Sequence, residues 1–587
     1  MSQAALPRVI VRFEDAAGKV TPRQFAAPVA VLEAPAPLDV PPLLAEVERA
    51  TAAGLWAAGF VAYEAAPAFD TALVTRPPGV LPAAWFALFD AAGEEPPDGL
   101  DPLPGTLALG SFVADMDEAA WAAAVAEVRA AIARGDTYQV NLTLRLAARL
   151  AGDPRALWHR LAERQRGGYA AYLDLGRHAI ASASPELFFR REGDRIVVRP
   201  MKGTARRGRF PEEDDARAAA LAASEKDRAE NVMVVDLMRS DLGRISVPGS
   251  VAVASLCAVE RFPTVLQMTS TVTATARPGT GLVDLFRALF PSGSVTGAPK
   301  ASTMRAIAAL ERAPRGVYCG TIGLVAPGGD ATFSVPIRTA VVDRVAGSVE
   351  YGAGAGITWG SEAAAEHQEV LLKAAVLGEP PPRFELFETL RVEAGKAVRL
   401  AAHLARLGAS ARYFDWPFDG AAAERTVLRR IDGLVAGPSR LRLFLGSDGA
   451  LRVEAAPLEP LPPGPLPVAI SPRPVYRDDL FLHHKTTHRA VYDARRAEQP
   501  GVHDVLLLNE SGELTEFTRG NLVLDLDGAR FTPPRECGLL GGVLRGELLA
   551  CGAIAERVLR PTDLPRAAAA WLVSSLRGEV RVHFAAP

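Results

Sequence analysis

Cysteine is scarce in this chain. Its 587 residues hold four, at 257, 319, 537 and 551, and no two form a CxxC pair. That spacing argues against a cysteine-rich metal module or a disulfide-stapled scaffold and fits free thiols in a reducing cytoplasm. No uncharged apolar run reaches the ~18 residues of a membrane-spanning helix. The opening MSQAALPRVIVRFED lacks a basic segment followed by an apolar core, so no secretion signal is expected. Surplus charge is missing as well: 65 Lys and Arg against 68 Asp and Glu leave a net charge of -3. Nothing in that balance suggests a nucleic-acid partner. Two glycine-bearing stretches fall short of nucleotide motifs. Residues 291–300 (PSGSVTGAPK) lack the Walker spacing, and residues 352–356 (GAGAG) lack the third Rossmann glycine at 357.

What is present reads as an ordinary globular chain, 49% hydrophobic and 23% charged. At ~150 residues per domain its length implies several domains. The first ~110 residues alternate strands and helices between Pro-rich loops, at 35–42 and again at 96–104. Helices are expected over about 118–134, 224–243 and 361–377. Asp117 caps the first, Trp121, Val125, Val128 and Ile132 form its stripe, and Gly135 stops it. On the second, Glu230 shares a face with Met233, Val234 and Leu237; on the third, Glu366, Glu369, Val370 and Lys373 line one face. A carboxylate on an apolar face is costly unless it meets a cation. Carboxylates from two helices suit a hard, oxygen-preferring ion such as Mg²⁺, with solvated helix charges as the plainer alternative. The two glycine stretches are expected to be loops that point backbone N–H groups at anions.

The stretch from 184 to 208 ties these features together. Ser-Pro-Glu186 leads into an apolar strand and then PMKGTARRG, which can bring Glu186 and Lys202 into one cleft. Gly203 and Gly208 permit close backbone approach, and Arg206 and Arg207 add positive charge; these arginines, a nearby Mg²⁺ or partial burial can lower the Lys202 pKa. Residues 378–383 (GEPPPR) read as a linker dividing the chain into 1–378 and 384–587. Beyond it stand FETLR (387–391), HLARL (403–407), HKTTHR (484–489), LTEFTRGN (514–521) and GLLGGVLR (538–545). His484 and His488 have the spacing of a zinc helix. No H-E-x-x-H glutamate lies between them, and metal binding is not expected there.

SPE at 184–186 and PMKGT at 200–204 resemble segments of the chorismate-utilising family that includes anthranilate, salicylate, isochorismate and aminodeoxychorismate synthases. GFVAYE (59–64), both glycine stretches, Tyr318 in RGVYCGT and Arg338 in IRT extend the resemblance over roughly 10–377. The second half, about 384–583, resembles the fold-type IV pyridoxal-phosphate enzymes, branched-chain aminotransferases and aminodeoxychorismate lyase. The fold class implied is α/β (α+β): antiparallel sheets flanked by helices in the first half, a two-subdomain α/β fold in the second.

The resemblance also implies roles. Glu186 and Lys202 are catalytic, and Glu230, Glu366 and Glu369 hold Mg²⁺. Thr296, Gly297, Tyr318, Arg338, Gly354, Gly356 and Lys373 bind substrate. In the second half Lys485 carries pyridoxal 5'-phosphate and serves as the base, while Glu516 meets the pyridine nitrogen. Arg406, Asn521, Val543, Leu544 and Ser575 complete that cofactor site. Gln139 stands where water-adding members have a base lysine, and a glutamine cannot deprotonate water. Lys202 stands where anthranilate synthases have Ala. Gln267 replaces a His of many relatives, which leaves that contact open.

The function implied is amination of chorismate by ammonia to 4-amino-4-deoxychorismate, then loss of pyruvate to give 4-aminobenzoate, a folate precursor. The second-half motifs do not separate lyase from aminotransferase; the first half's product decides between them. An anthranilate synthase fused to a class IV aminotransferase and a non-catalytic chorismate-binding scaffold are the alternatives. No cysteine sits in a G-x-C-x-G turn, so ammonia is expected from a separate glutamine amidotransferase subunit. A homodimer through the second half, a cytoplasmic location and no membrane partner complete the expectations.

Overall fold

Strands Gln139–Ala151 and Ser348–Ile357 form the longest pairing of the first half, antiparallel from Ser348 opposite Arg149 to Ile357 opposite Val140. They belong to an 11-stranded sheet that is accompanied by a 10-stranded one, and every pairing in both is antiparallel. The computed structural model describes residues 8–94, 107–378, 382–434 and 437–584. The Pro-rich stretch at 96–104 and the centre of the 378–383 linker lie outside the described residues. The chain divides into two compact units, 1–207 with 218–380, and 208–217 with 381–587.

The first unit is layered helix, sheet, sheet, helix. Between the sheets Val9, Val11, Tyr169 and Ile180 of one pack with Phe60, Trp85 and Ile322 of the other. Outside the 11-stranded sheet, Trp121, Val125 and Val128 of helix Glu118–Ala133 join Trp158 and Val370. Asp117 caps that helix through the Ala120 N–H at 2.8 Å, and Ile132 is only partly buried. Outside the 10-stranded sheet, Val234, Val235 and Met238 of helix Glu225–Gly243 join Leu282, Leu285, Phe286 and Leu289 of helix Leu282–Leu289. Each helix thus buries one apolar stripe against a sheet face, as its periodicity requires.

Three expectations are corrected. Two strands, Leu187–Glu192 and Arg195–Arg199, separate Glu186 from Lys202 instead of one, because Gly193, at φ +60°, makes the turn within EGDR. Residues 352–356 are not a loop but the middle of strand Ser348–Ile357. The third helix spans only Ala363–Ala374, followed by a short 3-10 turn to Leu377.

The second unit contains a four-stranded antiparallel sheet, including Leu386–Glu393 and Ser439–Leu445, packed on helices Leu400–Phe414 and Gly420–Asp432. Its other layer is an eight-stranded mixed sheet with its own leucine-rich core. Residues 484–489 lie between the short helices Leu480–His483 and Ala490–Ala497, so His484 and His488 share no helix.

One buried ion pair fastens the first unit around its cleft. Arg315 donates to Glu311 through Nε (3.0 Å) and Nη2 (2.6 Å), to Val295 O at 2.7 Å and to Asn141 O at 2.7 Å. Glu311 also accepts from the Thr143 N–H and hydroxyl. Removing Glu311 would leave the Arg315 guanidinium buried without its carboxylate, with Arg145, 3.9 Å from the same carboxylate, as a second nearby cation. Glu311→Leu should therefore cost about 3–5 kcal/mol, and the double replacement Glu311→Leu/Arg315→Met should cost less. Urea unfolding midpoints of the two variants check this.

Candidate active sites

The first-unit cleft forms where both sheets and two helices meet. Glu186, Lys202, Glu230, Tyr318, Arg338, Gly354, Gly356, Glu366, Glu369 and Lys373 all line it. Thr296 and Gly297 do not. Thr296 bonds Ser292 O and receives the Asn141 N–H, while a Cβ on Gly297 would lie 2.0 Å from Gln139 O. They shape the loop behind the wall, which reaches the cleft through Ser294 and Val295.

Glycine at 352, 354 and 356 has a strand reason. Side chains alternate along a strand, so these three positions share one face. A Cβ at 352 would lie 2.4 Å from the Tyr318 ring, and one at 356 would lie 2.4 Å from Gln139 Nε2 and 3.2 Å from Lys202 Nζ. Ala353 and Ala355 point into the core on the other face.

Glu186 is buried and accepts a short hydrogen bond from Ser294 Oγ. Burial pushes its carboxyl up to about 7, against the pull of Ser294 and Lys202. Burial lowers the Lys202 amine, opposed chiefly by the Glu230 charge and aided by Lys373. Of the sources expected, burial is the one that acts, and the arginines are not among the causes: Arg206 is exposed, and Arg207 donates to Phe262 O. The carboxylates are set among cations. Glu369 pairs with Lys373 at 2.5 Å; Glu366 accepts from Ser361 Oγ at 2.7 Å with Lys226 3.7 Å away. Burial raises both Glu230 and Glu366, and Glu230 Oε1 is buried without a hydrogen-bond partner. Among the described residues no three His, Cys, Asp or Glu gather closely enough to hold a metal.

Arg338 adopts φ +54°, a backbone conformation rare for a non-glycine residue and frequent at functional sites. Its Nη1 donates to Lys373 O at 2.8 Å and its Nε has no partner. Lys373 Nζ in turn donates to Gly354 O at 2.9 Å. Ser294 and Gln165 were missed in the sequence. Gln165 is a cleft-lining amide, buried with neither polar atom paired. No local signal marks either, since both reach the cleft through distant chain segments.

In the second unit Lys485 lies with its Nζ 4.6 Å from the centre of the Phe387 ring. Burial, then the Arg406 and Arg489 charges, lower its amine to about 7. Burial raises Glu516 to about 7; it accepts from Tyr492 Oη (2.8 Å), Asn521 Nδ2 (3.1 Å) and Leu540 N–H (3.2 Å). Arg406 donates to Glu388 through Nε and Nη2 and to Gly541 O through Nη1. Glu388 also meets His403 Nδ1 at 2.6 Å, and His403 Nε2 meets Ser575 Oγ at 2.8 Å. Val543 and Leu544 open helix Val543–Ala550, where backbone N–H groups lack intrahelical acceptors. A buried cation, a buried carboxyl and a helix N-terminus suit a phosphorylated, protonatable heterocycle. Glu388, His403 and Tyr492 were not anticipated as parts of this site.

Residues 23–379 match the family described as chorismate binding enzyme, and residues 385–584 match amino-transferase class IV. Aminodeoxychorismate synthase component 1 of Salmonella typhimurium (strain LT2) is 44% identical over 247 residues, 42% of this chain and 54% of that protein. Anthranilate synthase component 1 of Streptomyces coelicolor is 42% identical over 268 residues, 45% of this chain and 52% of that protein. The chain spans about half the length of these curated relatives. A crystal structure of anthranilate synthase component I from Streptococcus pneumoniae TIGR4 superposes with a TM-score of 0.50 at 26% identity, covering 64% of this chain and 93% of that one.

Lys485 offers a test independent of any substrate. With its amine at about 7, competitive labelling by an amine-selective reagent in cofactor-free protein should be half-maximal near pH 7. An unperturbed lysine reaches that point near ~10.4. Arg489→Gln should move the half-point upward, because it removes one of the charges that disfavour the ammonium. Peptide mass spectrometry across the pH range reads both.

Proposed function

Because the chain belongs to the chorismate-binding enzyme family, we propose that its first unit aminates chorismate to 4-amino-4-deoxychorismate and that its second releases pyruvate from that product, leaving 4-aminobenzoate. The observation that carries the first step is the convergence of Glu186 and Lys202 on one cleft with a bare glycine strand face beside the amine.

Lys202 has a larger neutral fraction than a free lysine and attacks the ring. Glu186, with its carboxyl at about 7, keeps a protonated fraction at neutral pH, and that form gives its proton to the departing 4-hydroxyl, so that oxygen leaves as water while the N–C bond forms. The proton shed by the lysine nitrogen restores the Glu186 carboxyl. Ammonia then bonds to the ring while the Lys202 nitrogen takes the Glu186 proton and departs as a free amine, and the new ring nitrogen returns a proton to the Glu186 carboxylate. Arg338, Tyr318 and Lys373 hold the substrate carboxylates, Arg338 through N–H groups suited to two parallel bonds. Glu230, Glu366 and Glu369 line the cleft without forming a closed three-carboxylate cluster, so Mg²⁺ would be held by these carboxylates only together with a substrate oxygen and would supply positive charge to an anionic substrate; the orphaned Glu230 Oε1 fits that reading. The lysine at 202 favours this product over anthranilate. Gln139, buried beside Lys202, offers no base for activating water.

In the second unit Lys485 would carry pyridoxal phosphate and, once released, take the C4 proton of the intermediate. The cofactor supplies an electron sink when bound. Glu516, held by Tyr492 and Asn521, would meet the pyridine nitrogen. Ser575 and the Val543 and Leu544 N–H groups would bind the phosphate, with Arg406 held in place by Glu388. Losing the C4 proton and the enolpyruvyl oxygen aromatises the ring, so the residues need mainly to orient. The first unit's product favours the lyase over an aminotransferase.

Purified protein given chorismate, Mg²⁺, ammonium and pyridoxal phosphate should yield 4-aminobenzoate. Lys202→Ala should lower amination by at least about 100-fold, and Lys485→Ala should accumulate aminodeoxychorismate while chorismate consumption continues. Anthranilate from the parent protein would select the other reading. Ammonium should serve, whereas glutamine should serve only with a separate glutaminase subunit present.

The pH dependence has a definite sign. Glu186 acts protonated, so with its carboxyl at about 7 its contribution falls as pH rises through 7. Free ammonia and neutral Lys202 increase over the same range. Initial rates divided by free ammonia concentration should therefore climb below pH 7 and level off above it, where loss of the Glu186 proton offsets the gain in neutral Lys202; a ratio that keeps climbing without a break near pH 7 assigns the acid to another group.

A further inference from the structure

Strand Met201–Arg206 does not run in regular register with Val265–Thr275. Met201 lies opposite Thr269 and Thr204 opposite Gln267, so three steps on one strand match two on the other. The extra residue is a β-bulge at Lys202–Gly203. Bulges bend a strand and re-aim a side chain, and they leave backbone groups without ladder partners.

Two side-chain amides meet those groups. Asn231 Nδ2 donates to Lys202 O at 3.3 Å and to Met268 O at 3.4 Å. Its Oδ1 receives a short bond from Ser270 Oγ and lies 3.8 Å from Cys257 Sγ. Gln267 Nε2 donates to Gly203 O at 2.8 Å, and its Oε1 accepts from Thr204 Oγ1 at 3.0 Å. Both amide orientations are determined by these partners, since a flip would set oxygen against carbonyl oxygen. Gly203 has φ +89°, and a Cβ there would lie 2.9 Å from Asp227 Cβ, so only glycine fits the bulge. Asn231 follows Glu230 on the same helix. One helical turn thus presents a carboxylate toward the Lys202 amine and an amide to its carbonyl.

From this geometry we infer that Asn231 and Gln267 are positioning residues that hold Lys202 on a β-bulge and thereby turn its amine into the cleft. At position 267 the amide is engaged with the backbone beside the nucleophile. The inference rests on the reading of Lys202 as that nucleophile.

Gln267→Leu removes the donor at a partly exposed position, Gln267→His restores an N–H at similar reach, and Asn231→Leu tests the buried clamp. With chorismate and ammonium, Gln267→Leu and Asn231→Leu should lower kcat by about 10- to 100-fold with KM within about threefold, the scale of a small misplacement of a reacting group. Gln267→His should recover much of that loss. The pH at which Lys202 labelling is half-maximal should move toward the ordinary lysine value in Gln267→Leu, with the melting temperature little changed. A raised KM at unchanged kcat would make Gln267 a substrate contact and overturn the inference. So would equal losses in Gln267→Leu and Gln267→His, or an unmoved labelling half-point. Should the parent fail to aminate chorismate, the proposed function fails, and the labelling half-points still decide whether the clamp places the amine.

Discussion

The space in front of Lys202 exists because strand Ser348–Ile357 carries glycine at every second position of one face. A side chain at 356 would collide with Gln139 and crowd the lysine amine, and one at 352 would occupy the Tyr318 ring. The other groups of the cleft depend on that absence. Lys202, Lys226 and Lys373 stand among Glu230, Glu366 and Glu369, with Glu186 buried close by. Taking so many charges out of water works against folding, and it is compensated elsewhere by buried aromatic packing. Such a site is stable because its walls are long sheets held on both faces, not because its own contacts are favourable.

The second unit shows how partners decide what a buried carboxyl becomes. Glu388 and Glu516 are both fully enclosed glutamates. Burial pushes each upward, but Glu388 meets the Arg406 guanidinium and His403, which bring it down to about 2. Glu516 meets a phenol, an amide and a backbone N–H, all neutral, and it stays near 7. The first is an anchor that stays ionised, while the second is free to exchange a proton with whatever sits against it. Glu186 follows the second pattern, with a serine hydroxyl as its nearest partner.

Much of this was legible in the chain. Helix Glu118–Ala133 follows from one apolar stripe, a capping aspartate and a stopping glycine, all local signals. Glu186, Lys202, Glu230, Glu366 and Lys373 reach one cleft as the motifs implied. The glycine stretch at 352–356 was misread as a loop because glycine at alternate positions has the same composition as a turn. Only the pairing with strand Gln139–Ala151 shows that the backbone is extended there. The hairpin at Gly193 was hidden for a related reason, since LFFRREGDRIVVR is apolar on both sides of a short turn.

Sequence alone determined which chemical groups are available and which stretches can be strand or helix, because periodicity, capping and residue type act over a few neighbouring residues. It could not determine partners separated by long stretches of chain. Ser294 against Glu186, Asn231 against the carbonyl of Lys202 and His403 between Glu388 and Ser575 are contacts that tertiary packing created. The same holds for ionisation. A lysine or glutamate has its ordinary pKa in the extended chain, and only the removal of water and the choice of neighbour, both properties of the folded state, made Lys485, Glu186 and Glu516 titrate near 7.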